Sequence, residues 1–188
     1  SSSLGISIAL FVTILGIYLL FSPAHFLTSP DEELNLRTTL SFWQGQGGAI
    51  PSLEGFASKT GKNGREYAQY GLGLPWAALP WYALGVGLDP TPNSGEANSL
   101  ALYFDNPPPA ASVGTNFLRG WMTVFTMLVT AWTVALVHAI LRRLGVSASN
   151  AVFVSLLLGL GCICWPHGRT FFTEPLAATL LTLYVSVV

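Results

Sequence analysis

The sequence predicts an all-α fold: a polytopic transmembrane helical protein whose long first external loop contains juxtamembrane helices. Of its 188 residues, 51% are hydrophobic and only 9% are charged, whereas soluble domains carry roughly a quarter charged residues. Apolar stretches of bilayer-spanning length lie at both ends of the chain, and a largely polar region separates them. The net charge of −1 and the lack of a basic stripe predict no nucleic-acid partner.

The first predicted span covers 4–22. Leu4 to Phe21 is apolar apart from Ser7 and Thr13, and at about 1.5 Å per residue it can cross a hydrocarbon core of roughly 30 Å. A signal peptide is the alternative, disfavoured because no basic flank precedes the stretch and no small-residue cleavage site follows it. Further spans are predicted at 118–141, 150–167 and 171–188. Since the chain opens without Met and stops inside an apolar segment, we expect it to be the N-terminal part of one transmembrane domain.

The predicted orientation follows from Arg142 and Arg143, which lie in a short loop between two spans. Short loops rich in Arg and Lys are typical of the cytoplasmic side. Counting spans from this loop places residues 23–117 outside, provided that 72–88 does not cross. This region carries eight acidic and four basic residues, which suits the non-cytoplasmic face of a cell inner or plasma membrane.

A juxtamembrane helix is predicted over 31–43. Ser29 and Glu32 have the spacing of a capping box, and Pro30 falls at the first helical position. An apolar stripe then predicts an amphipathic helix lying at the interface. Its residues are Leu36, Leu40 and Trp43.

A second interfacial helix is predicted over 72–88. Seventeen residues are marginal for a span, and Pro75 and Pro80 interrupt the apolar run. Trp76 and Trp81 are typical of the membrane boundary. We therefore expect this segment to lie along the membrane surface.

Asp31 is the candidate catalytic carboxylate. It is the first charged residue after thirty uncharged ones, so it should lie just outside the first span. The purely structural alternative is that acids in a first helical turn only satisfy free N–H groups and the helix dipole. By the same span count, the loop with His167, Arg169 and Glu174 returns to the external face. Two acids at helix ends on one face predict an active site at the membrane surface.

A loose basic cluster lies in the external loop. Lys59, Lys62 and Arg65 stand beside Tyr67 and Tyr70. These residues are either solvated loop side chains or a site for an anionic headgroup or a lipid-linked phosphate.

Taken in order, the motifs carry a family resemblance. Ser-Pro-Asp-Glu opens a helix after the first span, and Gly-Arg-Glu-Tyr-Ala-Gln-Tyr-Gly-Leu-Gly (64–73) follows. Arg119 lies at a span entrance, before Leu-Arg-Arg-Leu-Gly (141–145) and Trp-Pro-His-Gly-Arg-Thr-Phe-Phe-Thr-Glu-Pro-Leu (165–176). This order resembles the N-terminal part of the GT-C superfamily of membrane glycosyltransferases, near the dolichyl-phosphate-mannose protein mannosyltransferases and the aminoarabinose transferases.

The resemblance implies an enzyme that transfers a sugar, with inversion, from a polyprenyl-phosphate donor to an acceptor that is a protein, a lipid or a glycan. Asp31 would be the catalytic base and Glu174 the second acid; together they could hold a divalent metal ion. The family often has Lys where Gln69 stands, so other cations would have to replace it. Residues expected to bind donor, acceptor or membrane lipid are Glu32, Lys62, Arg65, Tyr67, Tyr70, Arg119, His167 and Arg169.

The competing hypothesis is a non-catalytic polytopic membrane subunit or a transporter module. A transporter is expected to place ionisable groups inside its spans, and His138 is the only one well inside. A lone His there is more often a packed residue that makes an interhelical hydrogen bond. An intramembrane protease is disfavoured because neither G-x-S-x-G nor H-E-x-x-H occurs.

Overall fold

The structure, a computed structural model, describes residues 2–22, 29–50, 58–89 and 115–187. Its described part is mostly helical, as predicted. The helices are α1 (Ser2–Leu20), α2 (Pro30–Trp43), α3 (Gly73–Leu88), α4 (Asn116–Arg143), α5 (Ala148–Leu160), α6 (Cys164–His167) and α7 (Thr173–Val187). Three short strands accompany them: β1 (Ala49–Ile50), β2 (Ser58–Thr60) and β3 (Glu66–Ala68).

The chain divides into two compact units, each described here by itself. The first unit comprises Ser1–Ser22, Thr126–Thr170 and Glu174–Val188. The second unit comprises Pro23–Phe125 and Phe171–Thr173. Both termini of the described chain thus belong to the first unit, and α2, the three strands and α3 belong to the second.

Among the residues that the structure describes, two helices are long and apolar enough to cross a membrane: α1 over Ser3–Leu20 and α4 over Asn116–Arg143. The predicted span over 150–167 is not one continuous helix, because α5 ends after 13 residues at Leu160. Gly161 caps it by donating its N–H to Leu157 O, and a four-residue helix containing Pro166 follows. The last predicted span is the 15-residue α7. Whether α5 and α7 cross a membrane stays a prediction.

In the first unit, polar contacts join apolar helices. Ser7 Oγ lies 2.8 Å from Nδ1 of the fully buried His138, which connects α1 to α4. The interpretation of His138 as an interhelical hydrogen bonder is confirmed. The Tyr18 hydroxyl donates to Gly159 O over 2.7 Å. A Cβ at Gly159 would meet Ile14 at 2.9 Å, so the close approach of α1 and α5 requires a small residue there.

In the second unit, α2 is buried nearly all around instead of along one face. Leu34 and Leu36 are fully buried, but so are polar neighbours on the other sides of the helix, whereas Trp43 is 50% exposed. The amphipathic pattern predicted for this helix is therefore wrong in detail. Most of these polar side chains tolerate burial because they are hydrogen-bonded, among them Glu32, Glu33 and Asn35. On α3, Leu74 and Tyr82 belong to a buried stripe at helical spacing.

The all-α prediction also missed a small antiparallel sheet of order β1-β3-β2. In the β2–β3 hairpin, Thr60 pairs with Glu66, and Gly61 N–H donates to Arg65 O over 2.7 Å. Gly64 closes the turn with φ +74°, a conformation that glycine adopts without a steric penalty. The Asn63-Gly64 dipeptide is a recognised turn signal between strands that the helical interpretation overlooked.

A tryptophan pair joins α3 to α4 within the second unit. Trp81 Nε1 donates to Trp121 O over 2.7 Å, and Trp121 Nε1 donates to Trp81 O over 2.9 Å. The two rings stack with centroids 4.4 Å apart and an interplanar angle of 6°. A Cβ at Gly85 would lie 2.4 Å from Trp121, so glycine makes room for this ring.

Candidate functional site

The start of α2 is a confirmed capping box. Ser29 Oγ accepts the N–H of Glu32 over 3.4 Å, and Glu32 Oε2 accepts the N–H of Ser29 over 3.0 Å. Pro30 occupies a first-turn position, where its missing N–H leaves no gap in the helix. The backbone that carries the acidic run is thus fixed by local contacts.

Glu32 also accepts a hydrogen bond from a segment that is distant in sequence. Its Oε1 accepts the N–H of Phe171 over 2.7 Å, and Asn35 Nδ2 donates to Phe171 O over 3.1 Å. Glu32 is only 1% exposed. The structure therefore gives Glu32 a structural role, since both of its carboxylate oxygens accept backbone N–H groups; its contact with substrate stays a prediction.

Glu33 is the centre of a buried ion-pair network. Arg119 Nη1 contacts Glu33 Oε2, and Arg119 Nη2 donates to Oε1 over 3.1 Å, a two-pronged contact. Arg37 Nε donates to the same Oε1 over 3.1 Å. Glu33 is fully buried and Arg119 is 1% exposed. The Arg119 guanidinium thus pairs with a carboxylate in the interior, and its binding of substrate stays a prediction.

Asp31 differs from both neighbours. It is half-buried, and its Oδ1 accepts a 2.7 Å hydrogen bond from the Tyr70 hydroxyl. Among the described residues, Tyr70 is the one hydrogen-bond partner of this carboxylate. Burial, followed by the hydrogen bond and the charge of Asp31, raises the pKa of Tyr70 to about 12. The phenol therefore stays protonated and donates at neutral pH.

Of the predicted loop cluster, the structure brings only Tyr70 to Asp31. Lys62 and Arg65 are exposed in and beside the β2–β3 turn. The Tyr67 hydroxyl accepts from Asn63 Nδ2 over 2.8 Å. Within the residues described, no hydrogen bond or ion pair joins these three side chains to Asp31.

The first unit holds the other predicted residues. His167 Nδ1 lies 3.9 Å from Glu174 Oε2, and Glu174 is 67% exposed. Both line a cavity of about 150 Å³ between α4, α6 and α7. Arg169 stacks on Trp165, 4.2 Å from the ring centroid, and donates to Phe21 O over 2.6 Å. These contacts fix the position of the Arg169 guanidinium, and its binding of substrate stays a prediction.

The described residues do not form a cluster of metal ligands. No group of three or more His, Cys, Asp and Glu side chains comes together anywhere in the part of the chain that the structure covers. Beside Asp31, the carboxylates of Glu32 and Glu33 are engaged in buried contacts. A divalent ion held by Asp31 and Glu174 stays a prediction.

Sequence reasoning missed Glu33, Arg37 and Asn35. The spacing of Glu33 and Arg37, four residues apart on a predicted helix, was a readable ion-pair signal. The contacts of Glu33 with Arg119 and of Asn35 with Phe171 join residues 86 and 136 positions apart. No local pattern signals pairs at such separations.

The structure thus defines a mostly helical protein with two helices of membrane-spanning length and a carboxylate–tyrosine pair at the start of α2. Comparison with known proteins finds no matching family model, curated protein or solved structure. Function is therefore inferred from the residues of the chain and from the order of its motifs.

Proposed function

We propose that this chain belongs to an integral membrane glycosyltransferase of the GT-C type. It transfers a sugar from a polyprenyl-phosphate donor to an acceptor at the external membrane face. The observation that carries the proposal is the environment of Asp31. Of the three acids in the first turn of α2, it alone is accessible and has an oxygen atom with no partner among the described residues.

The neighbouring contacts support this role by fixing α2. Glu32 and Glu33 are at most 1% exposed and bind backbone N–H groups and guanidinium groups. Because Glu32 and Glu33 anchor the first turn of α2, they also fix the position of the Asp31 backbone. Tyr70 then fixes one carboxylate oxygen and leaves Oδ2 for the reacting group. A general base needs this combination of a rigid support and a free oxygen within hydrogen-bond reach of substrate.

In the proposed reaction, the acceptor hydroxyl or amide attacks the anomeric carbon of the sugar. The bond between that carbon and the donor phosphate oxygen breaks as the new bond forms, which inverts the configuration. The acceptor proton passes to Asp31 Oδ2, and polyprenyl phosphate leaves. The developing phosphate charge requires nearby cations, and Lys62 and Arg65 are the exposed candidates of the second unit. Glu174 remains the candidate second acid.

The proposed topology places α1 and α4 across the membrane, with α5 and α7 as further membrane segments. Arg142 and Arg143 end α4, which favours a cytoplasmic position for that end. Residues 23–117, including Asp31 and Tyr70, would then be external. This arrangement suits a donor whose lipid is embedded in the bilayer and whose sugar phosphate lies at its surface.

The test is Asp31→Asn. Asn is nearly isosteric with Asp and retains an oxygen that can accept from Tyr70, so the loss of one charge near the helix start should lower the free energy of unfolding by at most about 1 kcal/mol. A neutral amide cannot take the acceptor proton, so transfer should fall by about 10²–10⁴-fold. The measurement is sugar transfer from a polyprenyl-phosphate donor by the full-length protein, with membrane abundance followed in parallel.

The matched control is Glu66→Gln, which removes a carboxylate of the same unit that bonds Thr60 in the sheet. It should retain transfer. Asp31→Glu should be intermediate, because the charge survives but moves by one methylene. Normal transfer by Asp31→Asn at normal abundance would remove Asp31 from the mechanism.

A non-catalytic membrane subunit is the second candidate. It is favoured by the finding that Arg119, Glu32 and Glu33 all serve internal contacts. If Asp31 is likewise structural, then Asp31→Asn and Tyr70→Phe should affect assembly or stability equally and leave every transfer activity unchanged.

A further inference from the structure

A groove of about 560 Å³ lies between α1 and α4, within the first unit. This volume falls within the range of small-molecule sites. Its walls are almost entirely apolar over most of their length. The lining side chains include Leu4, Ile8, Phe11, Trp132, Leu136 and Ala139.

One end of the groove is strongly positive. Arg142 and Arg143 line it there, beside Ser3 in the first turn of α1. The N-terminal end of a helix carries a partial positive charge that attracts anions. Two guanidinium groups and the start of a helix therefore converge on one mouth.

Each guanidinium group is fixed by a hydrogen bond to a backbone carbonyl oxygen, which leaves its positive charge unneutralised. Arg142 Nη1 donates to Val146 O over 2.5 Å, and Arg143 Nη1 donates to Ser186 O over 2.9 Å. No ion pair in the described part of the chain involves either residue. The one carboxylate of the first unit, Glu174, lies at the opposite end of α7 from Ser186, about 18 Å away along the helix. Each guanidinium has further N–H groups available for an anion.

The apolar part of the groove has the depth of one membrane leaflet. From Arg142 to Trp132 is ten residues of α4, or about 15 Å at 1.5 Å per residue. This is half of a hydrocarbon core of roughly 30 Å. A molecule with an acyl chain of leaflet length and an anionic head would match both the lining and the charge.

We propose that this groove binds one anionic glycerophospholipid, with its phosphate at Arg142 and Arg143 and an acyl chain running toward Trp132. Basic pockets between membrane helices recognise anionic lipid headgroups in this way. The proposal rests on the membrane assignment of α1 and α4 but is independent of sugar transfer. The other possible occupants, a further helix of a longer chain or a second copy, are distinguished by the test below.

The experiment purifies the full-length protein and measures retained lipid by native mass spectrometry, after exchange into mixed micelles of phosphatidylglycerol and phosphatidylcholine with identical acyl chains. The wild type should retain one phosphatidylglycerol in preference to phosphatidylcholine. Arg142→Gln/Arg143→Gln should lower that preference by about 25-fold, since one cation near a lipid surface contributes about fivefold. The matched control, Lys59→Gln, removes an exposed cation of the second unit and should change nothing.

A second variant makes the test independent of the arginine contacts. Ala139→Phe keeps both cations but places a phenyl ring in the apolar part of the groove, so it should strongly reduce retention of the bound lipid. Glycerol phosphate, which has the anion but no acyl chain, should not displace the lipid. Equal preference for phosphatidylglycerol in the wild type and the double variant would overturn the proposal. So would undiminished retention by Ala139→Phe, or a cross-link showing that a protein helix fills the groove.

Discussion

The start of α2 and the start of α7 both place acidic residues in a first helical turn, but the two turns have different surroundings. In α2, Glu32 and Glu33 are buried and reach Phe171 and Arg119. In α7, Glu174 is 67% exposed and lies 3.9 Å from a single histidine. Both positions suit the helix dipole equally. Tertiary partners, and not the position in the helix, decide which acids hold the protein together and which remain accessible for chemistry.

The sharpest way to test this comparison is Glu33→Gln. It leaves Arg119 without its carboxylate in the interior, and breaking a buried pair lowers the free energy of unfolding by about 3–5 kcal/mol. Denaturant unfolding of the purified protein in detergent measures the loss. The double variant Glu33→Gln/Arg119→Met should recover part of it, because it also removes the unpaired charge. An unchanged midpoint in the single variant would show that the network contributes no stability.

Glu32→Ala should have the next largest effect. It removes the acceptor for Ser29 N–H and for Phe171 N–H. Losing a cap together with a buried acceptor should lower the free energy of unfolding by about 1–3 kcal/mol. Glu32→Gln, which keeps one carbonyl oxygen, serves as the comparison and should do less. If Glu32→Ala and Glu32→Gln have the same free energy of unfolding, the hydrogen bond that Glu32→Gln retains contributes no stability.

Tyr70 offers a smaller, spectroscopic test. Its pKa is raised to about 12, so the folded state favours the neutral phenol. Any stability from this preference is present below pH 10 and is lost as the pH rises through about 12. The difference in tyrosinate absorbance between wild type and Tyr70→Phe should titrate near pH 12. In Asp31→Asn the same transition should move downward, because the charge of Asp31 is gone. A transition at the ordinary value of 10 would mean that the two side chains do not meet.

Glu174→Gln should have the smallest effect on stability, within about 0.5 kcal/mol, because an exposed charge with one long contact contributes little. Its effect on transfer is a separate readout. If Glu174 is the second acid of the proposed enzyme, transfer should fall while the melting temperature stays constant. A large drop in melting temperature would show that Glu174, like Glu32 and Glu33, contributes to the stability of the fold.

The sequence was sufficient where local rules apply. The capping box of Ser29 and Glu32 and the positions of α1 and α4 follow from spacing and apolar run length. The Asn63-Gly64 turn signal could have predicted the hairpin, but its strands are only three residues long and give no alternating pattern. α5 ends early, with Gly161 as its C-cap. In the sequence, a single glycine is a weaker signal than the long apolar run around it, so the run predicted one continuous span.

For the candidate site, the sequence identified Asp31 but not its surroundings. Tyr70 was assigned to a phosphate site, and its contact with Asp31 spans 39 positions. The family resemblance places Arg119 among the substrate-binding residues, and no local pattern indicates its partner 86 positions away. Only the folded chain shows that Glu33 provides that partner.

The stacked indoles of Trp81 and Trp121 have an optical consequence. Two nearly parallel rings with centroids 4.4 Å apart are close enough for their electronic transitions to mix. The pair then absorbs as a coupled dimer and contributes an exciton couplet to the circular dichroism spectrum. Because one ring belongs to α3 and the other to α4, that signal reports the docking of these two helices without any added label.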